Sequence, residues 1–194
     1  VVLVSSKPLV IPWVAEHAGA LLVAFNPGMK GGQAIAEVLF GDHCPAGKLT
    51  VSFPRSLGSQ PVHYQQVPGW HGSRHGHYDA RPLYPFGFGL SYTSFAYSGL
   101  ALSGAQVRRG ERVGVAVTVT NRGHRAGVEI VQLYVGDRYS TLSTPARRLR
   151  RFVRVELAPG ESRRIEFALD EEDLAYVGRD GRPVVEAGEF DVWV

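Results

Sequence analysis

The sequence predicts an α/β fragment followed by an all-β sandwich, and three observations predict it. The first half alternates short apolar runs with helical signals, the pattern of an α/β layer. From Leu100 onward the pattern changes to period-two alternation with regular turn residues, which argues a β-sandwich. Between them stands Pro82-Leu-Tyr-Pro-Phe-Gly-Phe-Gly-Leu-Ser-Tyr-Thr-Ser-Phe95, too rich in proline, glycine and aromatics for a regular helix. This stretch reads as the seam. The expected organisation is residues 1–98 as the α/β part, with a linker loop over 60–95, and residues 99–194 as the sandwich.

Taken in order, Val1-Val-Leu-Val4 is an apolar run that reads as a strand buried on both faces. Ser5-Ser-Lys-Pro8 is turn chemistry, and Trp13 to Ala18 fits a short helix. Ala20 to Ala24 reads as a second buried strand, broken by Pro27 and Gly28. From Gln33 to Phe40, Ala34, Ile35, Val38 and Leu39 share one helical face, and Gly41 suits the left-handed position after a helix end. Val51-Ser-Phe53 reads as a short strand closed by Pro54. About two strands bury too little to stand alone, so further strands are expected upstream of Val1. Residues 60–81 are poor in apolar residues, hold His63, His71, His75 and His77, and read as a long loop.

In the second half Val113, Val115, Val117 and Val119 alternate, and Asn121-Arg-Gly123 makes a turn. Ile130 to Val135 is a mostly apolar strand whose imperfect alternation predicts a bulge. Ile165, Phe167 and Leu169 alternate after a turn at Pro159-Gly160, and Asp180-Gly181 is a hairpin signal. Phe190, Val192 and Val194 alternate to the last residue, so a few more residues are expected there.

The bulk numbers narrow the function classes. With 194 residues, 44% hydrophobic and 20% charged, the composition is that of an ordinary soluble globular protein. No apolar run approaches the roughly 20 residues of a membrane helix. The single Cys44 excludes an internal disulfide and fixes no compartment. The net charge of +3 divides as +2 over residues 1–105 and +1 over 106–194. Neither half has the excess of a phosphate-binding face, which argues against a nucleic-acid partner. Arg147, Arg148, Arg150, Arg151 and Arg154 cluster, but Glu156, Glu161 and Glu166 follow, so the expectation is a solvated, charge-paired strand face. Gly47-Lys48 is no phosphate loop: Asp42 stands where the pattern needs glycine, and Leu49 where it needs serine or threonine.

Three stretches resemble glycoside hydrolase family 3. Pro85 to Phe95 is similar to its PFGxGLSYTxF signature. Asn26-Pro-Gly-Met-Lys-Gly-Gly-Gln-Ala-Ile-Ala-Glu-Val-Leu-Phe-Gly-Asp42 is similar to its PGxEGGxAIAxVLFGD motif. Pro45 to Pro54 is similar to its PSGKLPxSFP motif. Pro61-Val-His-Tyr64 and Arg74 to Asp79 resemble the bacterial β-glucosidase branch. The resemblance implies the tail of an α/β sandwich domain followed by an immunoglobulin-like, fibronectin type III-like sandwich. It implies a retaining β-glucosidase or β-xylosidase acting on oligo- or monosaccharide β-glycosides, with no cofactor, no membrane partner, and a homodimer among the assemblies it allows. Lys30 stands where the motif usually has glutamate, which reverses a charge.

A glycosidase needs two flanking carboxyl groups, about 5 Å apart when the enzyme retains configuration. The first half offers only Glu16, Glu37, Asp42 and Asp79, and none stands in a catalytic context. The resemblance places the nucleophile aspartate in a preceding barrel and the acid/base glutamate upstream of Val1, so no catalytic residue is assigned and the chain by itself is expected to be inactive. The Trp70 to Asp79 loop remains: Trp70 suits stacking on a sugar, and Arg74, His77 and Asp79 suit hydrogen bonds to hydroxyls. His71, His75, His77 and Asp79 match no strong zinc spacing, so no metal is assigned. The alternative function is a non-catalytic carbohydrate- or protein-binding sandwich. Tyr134, Tyr139, Tyr176 and Trp193 are its candidate platform, and the sequence reading prefers a Trp193 covered by the α/β part.

Overall fold

The computed structural model describes residues 1–67, 79 and 81–194. It divides into one compact unit of residues 1–64, 79 and 81–90 and a second of 65–67 and 91–194. The division between Leu90 and Ser91 falls inside the aromatic seam.

The first unit opens with β1 (Val2–Ser5), α1 (Pro12–His17), β2 (Leu21–Phe25) and α2 (Gly31–Phe40). Strands β1 and β2 pair in parallel, Val2 opposite Leu21 and Val4 opposite Val23, with a register shift after Val4. The expectation of strands buried on both faces fails here. Val4 is buried, but Val2 and Leu3 are exposed and β2 is half-buried throughout. Two parallel strands leave apolar faces without a layer over them in this unit. Helix α2 starts at Gly31, two residues before the expected Gln33, where Gly31 packs on Pro27: a side-chain carbon at Gly31 would lie 2.5 Å from Pro27 Cβ. It stops at Gly41, whose φ of 84° is left-handed and costs glycine little. Of its predicted face, Ile35 and Val38 are half-buried whereas Ala34 and Leu39 are exposed.

The expected strand at 51–53 is not regular. Instead residues 49–53 run beside 83–88 in an irregular antiparallel pairing. Leu49 N donates to Phe88 O, Gly87 N to Leu49 O, Phe53 N to Tyr84 O and Leu83 N to Phe53 O, all at 2.7–2.8 Å. Proline at 54 and 85 and glycine at 87 keep this pairing from extending into a ladder. Phe53 is fully buried and meets Tyr84 edge-on, and Tyr84 stacks on Phe88. The aromatics of the seam are therefore the packing partners of the Pro45–Pro54 segment.

The second unit is the predicted sandwich. One antiparallel sheet has the order β3 (Phe95–Leu102), β4 (Val113–Asn121), β7 (Ser162–Leu169). The other has the order β10 (Phe190–Trp193), β5 (Gly127–Asp137), β6 (Arg148–Leu157). Strand β3 runs through the boundary expected at 98/99. Val115, Val117 and Val119 face Val131, Leu133 and Val135, with Val155, Leu157, Ile165, Phe167 and Leu169 completing the core. Phe95, Phe190, Val192 and Val194 pack against it. The bulge predicted in β5 is a register shift between Leu133 and Tyr134. A short helix α3 (Glu171–Leu174) precedes the hairpin of β8 (Tyr176–Val177) and β9 (Pro183–Val184), which turns at Gly181 with φ 78°.

Of the arginine cluster, Arg154 meets Glu156, one of the expected partners, whereas Arg148, Arg150 and Arg151 take partners that the sequence reading did not name. Arg151 grips Asp173 at 2.5 Å, and Arg148 and Arg150 donate to the Ala175 carbonyl at 2.7 and 2.9 Å. These guanidinium groups satisfy carbonyls left open where α3 ends. Glu161 and Glu166 instead pair with Arg163 and Arg164, and Arg154 meets Glu156 at 4.0 Å. Among the described residues no helix is long and apolar enough to cross a membrane.

Candidate functional site

The parallel strands set the geometry of the first unit, because loops leaving their carboxyl ends are where α/β folds place ligands. At that edge Ser6 (φ 72°) and Phe25 (φ 47°) both take the left-handed conformation, and Ser6 N donates to Phe25 O at 2.8 Å. Such backbone is sparsely populated for residues with a side chain. The loop after β1 brings Pro8 to the wall of a cleft of about 370 Å³. Thr50 to Ser52, Pro54, Gln60 to Tyr64 and Phe86 complete the lining. Tyr64 stacks on Phe86 with ring centres 4.1 Å apart, and Ser52 Oγ accepts from Phe86 N at 3.1 Å, which holds that wall in place. The wall is apolar and aromatic, with Gln60 and His63 supplying polar groups at its rim, a composition suited to a small polar-edged ligand.

Of the four residues predicted to touch substrate, Trp70, Arg74 and His77 lie outside the described residues, as do His71 and His75. Asp79 is described. Its carboxylate accepts from Arg81 Nε at 2.9 Å and Nη2 at 2.8 Å, and its Oδ1 accepts from the Arg81 backbone N at 3.0 Å. Arg55 Nε lies 3.5 Å away on the other side. The hydrogen bonds from Arg81 lower the Asp79 pKa to about 2, with the Coulombic pull of Arg81 and Arg55 adding to them. Asp79 is therefore an anion at neutral pH with no proton to donate. Both its oxygens are already engaged, so it is poorly disposed to attack an anomeric carbon. Sequence reasoning found Asp79 and missed its partners. Arg81 could have been read from its position two residues on, the spacing of an Asx turn. Arg55 carried no such signal, because only the fold brings it near.

The other carboxylates of this unit do not form a pair. Glu37 accepts from Gln33 at 2.8 Å along α2, and Glu16 and Asp42 are exposed. Lys48 is engaged in structure, its Nζ donating to Gly89 O at 3.0 Å.

In the second unit the platform candidates separate. Tyr176 is buried and so is no platform; its hydroxyl is hydrogen-bonded with Glu186 and Thr141. Tyr139 is exposed, Tyr134 is half-buried and Trp193 is 38% exposed. Thr141 binds Glu186 through both its hydroxyl (2.5 Å) and its backbone N (2.8 Å), which holds the Glu186 pKa down. Burial raises the pKa of neighbouring Asp137.

Comparison with known proteins gives two family matches. Residues 1–92 match the glycosyl hydrolase family 3 C-terminal domain, and residues 129–194 match the fibronectin type III-like domain. The chain is 42% identical over its full length to a β-xylosidase of Formosa agariphila, covering 27% of that protein. It is 38% identical over its full length to a periplasmic β-glucosidase of Salmonella typhimurium, covering 26% of it. Among solved structures, a β-glucosidase of Erythrobacter marinus superposes with a TM-score of 0.90 at 42% identity, over 97% of this chain and 25% of that one. A β-glucosidase of Listeria innocua in complex with isofagomine gives 0.88 at 33% identity, over 98% and 28%. The chain thus spans about a quarter of the length of the relatives it matches.

Proposed function

The chain belongs to glycoside hydrolase family 3, and on that premise we propose that it serves as the C-terminal part of a retaining β-glycosidase. Its substrates are oligo- or monosaccharide β-glycosides, from which terminal glucose or xylose is released at the non-reducing end. One observation carries this reading: the chain is alike over its whole length to β-glucosidases and β-xylosidases while spanning about a quarter of theirs.

Retention requires double displacement, with one carboxylate attacking and one carboxylic acid protonating the leaving oxygen. No residue of this chain takes either role. The single carboxylate in the proposed substrate loop, Asp79, is held as an anion by Arg81. The contribution of these residues is binding. Trp70 stacks on a sugar beyond the cleaved bond, and Arg74, His77 and Asp79 hydrogen-bond hydroxyls there, so the loop shapes outer subsites. Asp79 does so while anchored by Arg81, which fixes the direction of its remaining lone pairs.

The test is hydrolysis of p-nitrophenyl β-glucoside and β-xyloside. The 194-residue chain is expected to give no turnover above buffer. In a polypeptide carrying the carboxyl pair, Trp70→Ala is expected to raise KM for a disaccharide more than for the nitrophenyl glycoside. Clear turnover by the 194-residue chain, abolished by Asp79→Asn, overturns the reading and puts chemistry in this loop.

A further inference from the structure

The cleft of about 370 Å³ beside Pro8 lies wholly within the first unit. Its size is at the low end for small-molecule sites. Its walls are rigid without a ligand. Pro8, Pro54 and Pro61 line it with fixed φ and no backbone N–H left to satisfy. Phe86 donates its N–H to the Ser52 hydroxyl at 3.1 Å, and the next residue, Gly87, donates to Leu49 O at 2.7 Å. Val62 and Pro54 are buried, so the inner wall is anchored in the fold. A wall of this kind costs an incoming ligand little ordering.

The lining selects by exclusion. Among the described residues, no aspartate, glutamate, lysine or arginine lines the cleft. Arg55, next to Pro54 in the chain, lies against Asp79, and Lys48 donates to Gly89 O. A charged ligand would lose water in the cleft without meeting an opposite charge in its lining. A pyranose fits little better. Most of its hydroxyls would face proline, valine and phenylalanine and forfeit their hydrogen bonds. The lining suits a flat apolar ring that carries a single hydroxyl. The ring packs on Phe86 and on proline C–H groups. Gln60 and His63 stand exposed at the rim, and among the described residues neither side chain is engaged in a hydrogen bond. Both are able to donate to or accept from a hydroxyl.

We propose that this cleft binds an uncharged phenol, with its ring against Phe86 and the prolines and its hydroxyl at the Gln60–His63 rim. Aryl β-glycosides carry such a ring as aglycone, but the fit follows from the lining and does not depend on the glycosidase reading.

The test is an amide-resolved NMR titration of the 194-residue chain with 4-methoxyphenol, beside thermal melts that establish folding. Shifts are expected at Val51, Ser52, Val62 and His63, with a Kd of about 1 mM, the scale for a ligand of this size. The sandwich-core amides of Val131 and Leu133 are expected to stay in place. Methyl β-glucoside and 4-hydroxybenzoate are each expected to bind about tenfold more weakly or worse. Thr50 lines the cleft from an exposed position, so Thr50→Tyr sets a ring across the mouth. It is expected to abolish the shifts and leave the melting temperature unchanged. Gln60→Ala combined with His63→Ala is expected to weaken binding about fivefold, the worth of one hydrogen bond. No shift in the folded chain overturns the proposal. Equal or tighter binding of methyl β-glucoside overturns it by making a sugar the occupant, and the same result with 4-hydroxybenzoate makes the occupant an anion. Shifts centred outside the cleft, or binding unchanged in either variant, overturn it too. None of these readouts involves hydrolysis, so failure of the glycosidase reading leaves the test intact.

Discussion

Lys48 Nζ donates to the carbonyl of Gly89 at 3.0 Å across 41 residues of sequence, and the same glycine lies directly against the carbonyl oxygen of Gly47. The Gly47-Lys48 pair and the Gly87-Phe-Gly89 turn thus lock two distant segments together. A methyl group at Gly89 would collide with the Gly47 oxygen, and backbone on both sides cannot step aside cheaply. Gly89→Ala is expected to destabilise the chain by about 1–3 kcal/mol, the usual cost of overpacking. Lys48→Met keeps the stem and removes the ammonium with its hydrogen bond to Gly89, so it should cost about 1 kcal/mol or more. Urea midpoints of the two variants measure both; equal midpoints for Gly89→Ala and the parent would remove the interlock from the account.

Asn121 is the polar hub of the sandwich. It is fully buried at the end of β4, and its side chain makes four hydrogen bonds. Oδ1 accepts from Thr93 Oγ1 at 2.6 Å and from Gly123 N at 3.0 Å, and Nδ2 donates to Arg125 O at 2.7 Å and Leu157 O at 3.0 Å. Asn121→Asp keeps the shape but sets an anion against two carbonyls. It is expected to cost about 3 kcal/mol or more, because buried unmatched polar groups carry their full desolvation penalty. Thr93→Val removes one partner and should cost about 1 kcal/mol. Denaturant titration distinguishes the two.

These cases show which features the sequence carried. The stop of α2 at Gly41, the inward valines of β4 and the bulge in β5 are local signals, and each was readable from spacing alone. The pairing of 49–53 with 83–88 was not, because its partners are thirty or more residues apart and both segments are broken by proline or glycine. Asn121 read as a turn residue, since nothing nearby announces that Thr93 and Leu157 converge on it. The same limit applies at the candidate site: Asp79 was readable as a polar loop residue, whereas Arg55 reaches it only through the fold. Exposure was misjudged for β1 because an apolar run reports an appetite for burial, not the layer that satisfies it.

Tyr97 ties the two sheets, its hydroxyl donating to buried Glu129 at 3.0 Å. Burial, reinforced by the Glu129 charge and that hydrogen bond, raises the Tyr97 pKa well above that of a free tyrosine. A tyrosine whose pKa is raised by folding stabilises fully below the unfolded value of about 10 and loses that contribution as pH climbs past it. Burial raises Tyr176 in the same direction. Stability should therefore fall between about pH 10 and pH 12. Tyr97→Phe should be less stable at pH 8 and should show a shallower alkaline decline. Melting temperatures recorded across that range test it, and an unchanged slope in Tyr97→Phe would exclude Tyr97 as the source.

Asp79 gives the opposite sign. Arg81 holds its pKa near 2, below the unfolded value of about 3.9, so its contribution is present above about pH 4 and is lost as pH falls toward 2. The expected observation is an Asp79 carboxyl resonance that titrates near 2 in the parent chain and moves up toward 3.9 in Arg81→Ala. Arg55→Ala should move it less, because that guanidinium stands 3.5 Å away against 2.8 Å for Arg81. The order of the two shifts matters more than their size. A larger rise from Arg55→Ala would mean that Arg55 is the principal anchor, and the orientation proposed for Asp79 toward a sugar would change with it.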